Sequence, residues 1–155
     1  MPEKSAIKAN DETILSEAVR LVSDGIAVTF PVNGRSMRPF IVGGKDSVIL
    51  EKPTKTQVLD IVLAYVENGR HVIHRVIAID GERVTLMGDG NLYGVEHCLV
   101  SDILAQATYV VKPGGKKISL VSRRSLRLAS LWKKLKPIRK WLLLLYRIKE
   151  KVISK

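Results

Sequence analysis

The chain has 155 residues, 46% of them hydrophobic, and a formal net charge of +11. This length supports one domain with a real core, the hydrophobic share excludes a disordered protein, and the single cysteine, Cys98, excludes an intramolecular disulfide. The charge is uneven. Residues 112–155 hold 15 Lys and Arg and one acid, a net charge of +14, which leaves −3 for the remainder. We therefore expect the basic segment to face an anionic partner.

The first residues are polar, and no apolar stretch of the signal-peptide type follows them. The longest apolar run, Trp141–Tyr146, is far shorter than the roughly 20 residues that a membrane-spanning helix requires. We therefore expect neither a signal peptide nor a transmembrane helix. The expected location is the cytoplasm or the inner face of a membrane.

In chain order, the pattern predicts one helix and then a series of short strands. Polar residues at 10–13 are typical of a helix start, apolar residues then recur at helical spacing, and Gly25 is suited to end the helix. Turn dipeptides, including Asn68-Gly69 and Asp80-Gly81, separate the segments that follow. Those segments are rich in β-branched residues, and they cover 27–32, 47–50, 61–66, 72–79, 83–87, 107–111 and 118–121. The prediction is a mainly β fold, a compact antiparallel sheet or partly open barrel.

From Ser125 onward, apolar residues recur at helical spacing among many basic ones, and Pro137 should kink or restart this helix. The chain thus divides into an N-terminal helix packed on the core (1–26), a β-rich domain (27–121) and a basic amphipathic helical tail (122–155). The tail fits a helix lying on an anionic membrane surface, and equally a helix packed on protein. Nucleic acid is less favoured, because no nucleic-acid-binding motif is present.

Three residues supply the groups that serine acyl-transfer chemistry needs. Ser36 lies in a turn between Gly34 and Pro39, His74 lies within a predicted strand, and Asp89 lies between two glycines. Each residue alone is more simply an ordinary turn serine, a strand histidine or a turn-capping aspartate. No cluster of Cys, His and acids has the spacing of a metal site, so we expect no metal and no cofactor.

Four segments in order resemble one family. Ser36-Met37-Arg38-Pro39 is similar to the Ser-Met-x-Pro motif of type I signal peptidases and their LexA-like relatives. Residues 60–64 resemble the strand that follows in that superfamily. His74-Arg75-Val76 is similar to the segment of the branch that uses histidine as the base, which includes the endoplasmic-reticulum type. Gly88-Asp89-Gly90-Asn91 resembles its Gly-Asp-x-Asn box.

The resemblance implies a β-rich serine endopeptidase that binds an extended peptide or precursor segment as an added strand. It implies Ser36 as the nucleophile and His74 as the general base. It also implies an oxyanion held by the Ser36 N–H near Gly34, with Met37 and Pro39 at the substrate-binding turn. The expected partner is therefore a peptide or protein substrate.

Some points stay open at this level. The endoplasmic-reticulum branch usually has further aspartates five or six residues after its Gly-Asp. Those positions are Gly94 and Val95 here, and the nearest acid is Glu96. We expect Asp89 to complete the Ser36–His74 pair by orienting His74, and Glu96 is the competing acid for that role. The alternatives to an endopeptidase are a catalytically weak or inactive peptide- or membrane-binding module of the same fold and, less favoured, a regulator that cleaves itself.

Overall fold

A computed structural model describes the backbone of residues 2–154 and the side chains of residues 11–154. Within this part of the chain, a long helix is followed by eight strands and two further helices. The helices are α1 (Pro2–Ser23), α2 (Arg123–Lys134) and α3 (Arg139–Ile153). The strands are β1 (Val28–Pro31), β2 (Ser47–Glu51), β3 (Ile61–Val66), β4 (Arg70–Asp80), β5 (Arg83–Met87), β6 (Glu96–Leu99), β7 (Ile103–Val111) and β8 (Lys117–Ser119). Single 3-10 turns lie at Val100–Asp102 and Lys136–Ile138.

The strands form one antiparallel sheet in the order β1-β2-β7-β3-β4-β5-β6, and β8 pairs with β7. The sheet curls into a half-barrel. The curl brings β6 back toward β3, where the Glu67 N–H donates a hydrogen bond to the His97 carbonyl at 2.9 Å. The predicted fold class, mainly β with a helix at each end, is confirmed.

Two apolar clusters fill the two sides of the curled sheet. The first lies between α1, the segment after β1, and strands β2, β3 and β7, and it includes the fully buried Val22, Ile41 and Leu50. The second lies among β3, β4, β5 and β6 around Val76 and Leu86. Because successive strand residues face opposite sides of a sheet, β3, which is buried on both faces, contributes to both clusters.

Several elements differ from the pattern-based expectation, most clearly α1, β6 and β7. Strand β7 begins at Ile103, four residues before the predicted segment at 107–111. Helix α1 begins at Pro2, so the polar residues at 10–13 lie inside it rather than at its start. Proline is tolerated in the first helical turn, where its missing N–H has no helical partner. Strand β6 was not predicted, because four residues that include Glu96 and His97 carry no clear alternation.

The C-terminal helices pack on the sheet domain through the loop at residues 88–91. The Trp132 indole N–H donates to the Asp89 carbonyl at 2.8 Å, and the Trp132 and Phe40 rings pack at right angles to each other with their centroids 5.9 Å apart. The buried Arg139 donates to the Asn91 carbonyl at 3.3 Å. The turn that contains Pro137 separates α2 from α3, at the place where the sequence predicts a break. None of the described helices has the length and apolar character needed to cross a bilayer.

Candidate active site

The nucleophile candidate lies in an irregular turn between β1 and β2. Ser36 is half-buried, and Met37 beside it is 2% exposed and packs in the first apolar cluster. The Ser36 carbonyl accepts a hydrogen bond from the Gly90 N–H at 2.8 Å, and the Met37 carbonyl accepts one from Ile41 at 3.0 Å. The turn is therefore anchored on one side by the core and on the other by the loop at 88–91.

Glycine is required for this close approach between the turn and the loop. A Cβ added at Gly88 would lie 2.3 Å from the Ser36 carbonyl oxygen, and one added at Gly90 would lie 2.5 Å from the Arg35 carbonyl oxygen. Both distances are shorter than real Cβ contacts. The glycines of the Gly-Asp-Gly-Asn box thus let one backbone rest directly on the other.

The base candidate, His74, lies on β4 opposite Val62 of β3, and its side chain is 6% exposed. Its Nδ1 atom lies 2.8 Å from Oε2 of Glu96, at the start of β6. Neither atom has a hydrogen bond of good geometry with a described group, so the pair is close but not yet aligned. Glu96 also pairs with Arg70 on its other oxygen. The curl of the sheet is what brings a β6 carboxylate to a β4 imidazole.

Burial lowers the pKa of His74 below its ordinary value of 6.5, and the Glu96 carboxylate opposes this shift. The imidazole is therefore neutral at neutral pH, which is the form that a general base requires. Burial raises the pKa of the Cys98 thiol to about 11, so this cysteine is protonated and unreactive.

Asp89 lies 3% exposed beneath the turn and pairs with Arg75. Arg75 Nε donates to one carboxylate oxygen at 2.8 Å, and Arg75 Nη2 donates to the other at 2.7 Å. The same guanidinium donates to the Leu59 carbonyl at 2.9 Å and lies over the Phe40 ring. This bidentate pair ties the loop at 88–91 to β4, one residue after His74.

Ser36, His74 and Asn91 line one cleft of about 510 Å³. Its walls come from β1 and the following residues, from residues 70–74 of β4, and from α1 at Asp11, Glu12, Ile14 and Leu15. Among the described residues, no hydrogen bond joins the Ser36 hydroxyl to the His74 ring. Catalytic hydrogen bonds are often long in the absence of substrate.

The predicted site residues thus fall into two groups. Ser36 and His74 face the same cleft, whereas Asp89 is engaged by Arg75 below it. Gly34, Met37 and Pro39 are not among the residues that line the cleft, and Met37 lies in the core. Their roles, like those of the other site residues, stay predictions. Sequence reasoning missed the Arg75–Asp89 pair, although a buried-strand arginine beside the candidate base was a usable signal.

A known protein family matches most of the chain. The family model described as "Signal peptidase, peptidase S26" matches residues 13–129. The chain belongs to the signal peptidase family S26. The matched region runs from α1 through the whole sheet into α2, so it includes both sides of the cleft. Membership of S26 supports a peptidase that acts on peptides or proteins. No curated protein sequence matches the chain.

Proposed function

We propose that the protein is a serine endopeptidase in which Ser36 is the nucleophile, His74 the general base and Glu96 the acid that orients His74. The observation that carries the proposal is the shared cleft: Ser36 and His74 line it together, and the Glu96 carboxylate lies 2.8 Å behind the imidazole. A nucleophile, a base and an orienting group are the three parts that acyl transfer from a serine needs.

The chemistry follows from these positions. The Ser36 Oγ attacks the scissile carbonyl while His74 takes its proton, and His74 then returns the proton to the leaving amine. Water hydrolyses the resulting acyl-serine with His74 again as the base. Because Nδ1 faces Glu96, a proton on Nδ1 leaves Nε2 free to accept the serine proton. The Ser36 N–H is the proposed donor to the oxyanion.

The contacts favour Glu96 over Asp89 as the orienting acid. Both oxygens of Asp89 already accept hydrogen bonds from Arg75, and the two side chains are almost fully buried. A carboxylate held in this way positions the loop under Ser36 rather than the imidazole. Glu96 is the acid nearest to the positions where the endoplasmic-reticulum branch has its aspartates, and it approaches His74 from the start of β6.

The substrate is proposed to bind as an extended strand along β1. This strand is at the end of the sheet, and Val32 directs its N–H and carbonyl toward the β2 side, to Asp46 and Gly44. By alternation, the backbone groups of Thr29, Pro31 and Asn33 face the other side. Proline, which lacks an N–H, is placed in sheets at such free edges. Strand addition there would lead the peptide past Ser36.

The test compares the full-length wild type with Ser36→Ala and His74→Ala in hydrolysis of peptide libraries and in labelling by a fluorophosphonate probe. Ser101→Ala and His97→Gln serve as controls, because both residues lie outside the cleft. We expect the first two variants to lose turnover and labelling, and the controls to keep both. Wild-type turnover in both active-site variants would refute the proposal. Peptide binding without labelling or hydrolysis in the wild type would favour the non-catalytic module, and loss of mass on incubation would indicate self-cleavage.

A second proposal concerns the placement of the enzyme. On α3, large apolar side chains are exposed along one face: Trp141 at 64%, Leu145 at 63% and Val152 at 69%, with Ile148 between them. Lys140, Lys149 and Lys151 flank this face. We propose that the face lies on an anionic membrane surface. Vesicle co-sedimentation should require anionic lipid and weaken with salt. Equal binding to neutral vesicles at high salt would contradict it.

A further inference from the structure

Two adjoining cavities lie between the Ser36 turn and α3. Their volumes are about 290 and 420 Å³, and Arg35, Arg38 and Arg147 line both. The smaller cavity continues onto an apolar wall formed by leucines, and the larger one opens toward the end of α3. The remaining cationic side chains in their linings are Lys140 in the smaller cavity and Lys45 and Lys151 in the larger.

The linings carry far more positive than negative charge. Six cationic side chains face the two cavities, and the acid in the linings, Glu150, is paired with Arg38 at 2.6 Å. The buried Nε atom of Arg38 has no hydrogen-bond partner among the described residues. Clustered cations favour an anion that accepts hydrogen bonds from several of them. The excess of cationic donors over acids in the two linings therefore suits an anion with several acceptor oxygens.

The geometry points to a phosphate-binding site between the Ser36 turn and α3, and we propose that it takes the headgroup phosphate of an anionic lipid. Guanidinium groups present planar pairs of donors that match phosphate oxygens. Leu92, Leu143 and Leu144 line the smaller cavity and suit the glycerol and upper acyl part of a lipid. The exposed face of α3, with Trp141 and Leu145, continues from Leu144 along the helix.

A phosphate site lined by particular residues differs from general attraction to a charged surface. The choice of a lipid as its occupant rests on the proposed membrane placement, and the site does not depend on peptidase activity. A diffuse electrostatic field would respond to any basic residue of the tail, whereas a built site responds to those that line it. The tail supplies both kinds of residue on the same helices.

The experiment compares two charge-matched double variants of the full chain. Lys140→Gln with Arg147→Gln removes two exposed cations of the cavity lining, and Lys134→Gln with Lys149→Gln removes two exposed cations outside it. Arg35→Gln changes the opposite wall as an independent check. Binding is measured on vesicles of phosphatidylcholine with and without phosphatidylglycerol, and to inorganic phosphate by phosphorus NMR.

We expect the cavity variant to bind anionic vesicles about tenfold more weakly than its matched control, since charge-assisted hydrogen bonds are lost in addition to the shared charge effect. Arg35→Gln should weaken binding in the same direction. A saturable inorganic-phosphate signal, lost in the cavity variant, supports the site and means that a soluble phosphate is sufficient. A tenfold difference between the two double variants on anionic vesicles, without an inorganic-phosphate signal, assigns the site to a lipid. Equal losses in the two double variants, with no phosphate signal, would overturn the inference.

Discussion

Gly88 marks the closest approach of the 88–91 loop to the nucleophile turn. A Cβ at this position would lie 2.3 Å from the Ser36 carbonyl oxygen and 2.9 Å from the Asn91 side-chain nitrogen, whereas ordinary contact begins near 3.4 Å. The φ of Gly88 lies outside the left-handed region, so an alanine backbone is tolerated there. Gly88→Ala therefore acts through contact alone, and it must displace the Ser36 carbonyl or the loop by about 1 Å.

We expect that displacement to have a large effect on turnover and a moderate effect on the free energy of unfolding. A misplacement of about 1 Å can lower turnover about 100-fold, because the hydroxyl no longer meets both the carbonyl and the base. Overpacking typically costs about 1–3 kcal/mol of unfolding free energy. We expect Gly88→Ala to remain folded and to have a kcat about 100-fold below that of the wild type. Its labelling rate with a fluorophosphonate probe should fall by a similar factor.

The assay measures kcat, the labelling rate and Tm on the same preparations. Val84→Ala is the control, because Val84 is fully buried in the second apolar cluster and its truncation destabilises the fold away from the turn. This control should keep its turnover at temperatures well below its Tm. If folded Gly88→Ala hydrolyses peptide at the wild-type rate, the contact between loop and turn does not position the nucleophile.

Three other substitutions test the roles of the two candidate acids and of the contact between α2 and the 88–91 loop. Glu96→Gln should lower kcat by about 100-fold or more. The acid limb of the pH profile of kcat/KM lies below pH 6.5, because burial lowers the His74 pKa. Glu96→Gln should move this limb to still lower pH, because the Glu96 carboxylate raises the His74 pKa. An unchanged limb would contradict this assignment. Asp89→Asn should leave that limb nearly in place but cost about 3 kcal/mol in denaturant unfolding, since Arg75 loses its buried counter-charge. Trp132→Phe removes one hydrogen bond to the Asp89 carbonyl and should cost about 1 kcal/mol, measured in the same way; no change would mean that α2 does not brace the loop.

Local sequence patterns were sufficient to predict the fold class, which the structure confirms, and they led to Ser36 and His74 as the predicted reacting pair. Alternating apolar residues and turn dipeptides determined a mainly antiparallel sheet, because side-chain direction along a strand is a local property. The Ser-Met-Arg-Pro and His-Arg-Val segments indicated Ser36 and His74, and the glycines at 88 and 90 indicated a tight loop. These features depend on neighbours in the chain.

Contacts between charged groups depend on the tertiary structure, because they join residues that are distant in the chain. The sequence favoured Asp89 over Glu96 as the acid that orients His74. The curl of the sheet, which no local pattern encodes, brings Glu96 to His74, and Arg75 engages Asp89. The tail was also ambiguous, because helical periodicity defines an apolar face but not what covers it. In the fold, Trp132 and Arg139 turn toward the 88–91 loop, and Trp141 and Leu145 remain exposed. Such pairings join residues distant in sequence, and the packing of the whole chain selects among them.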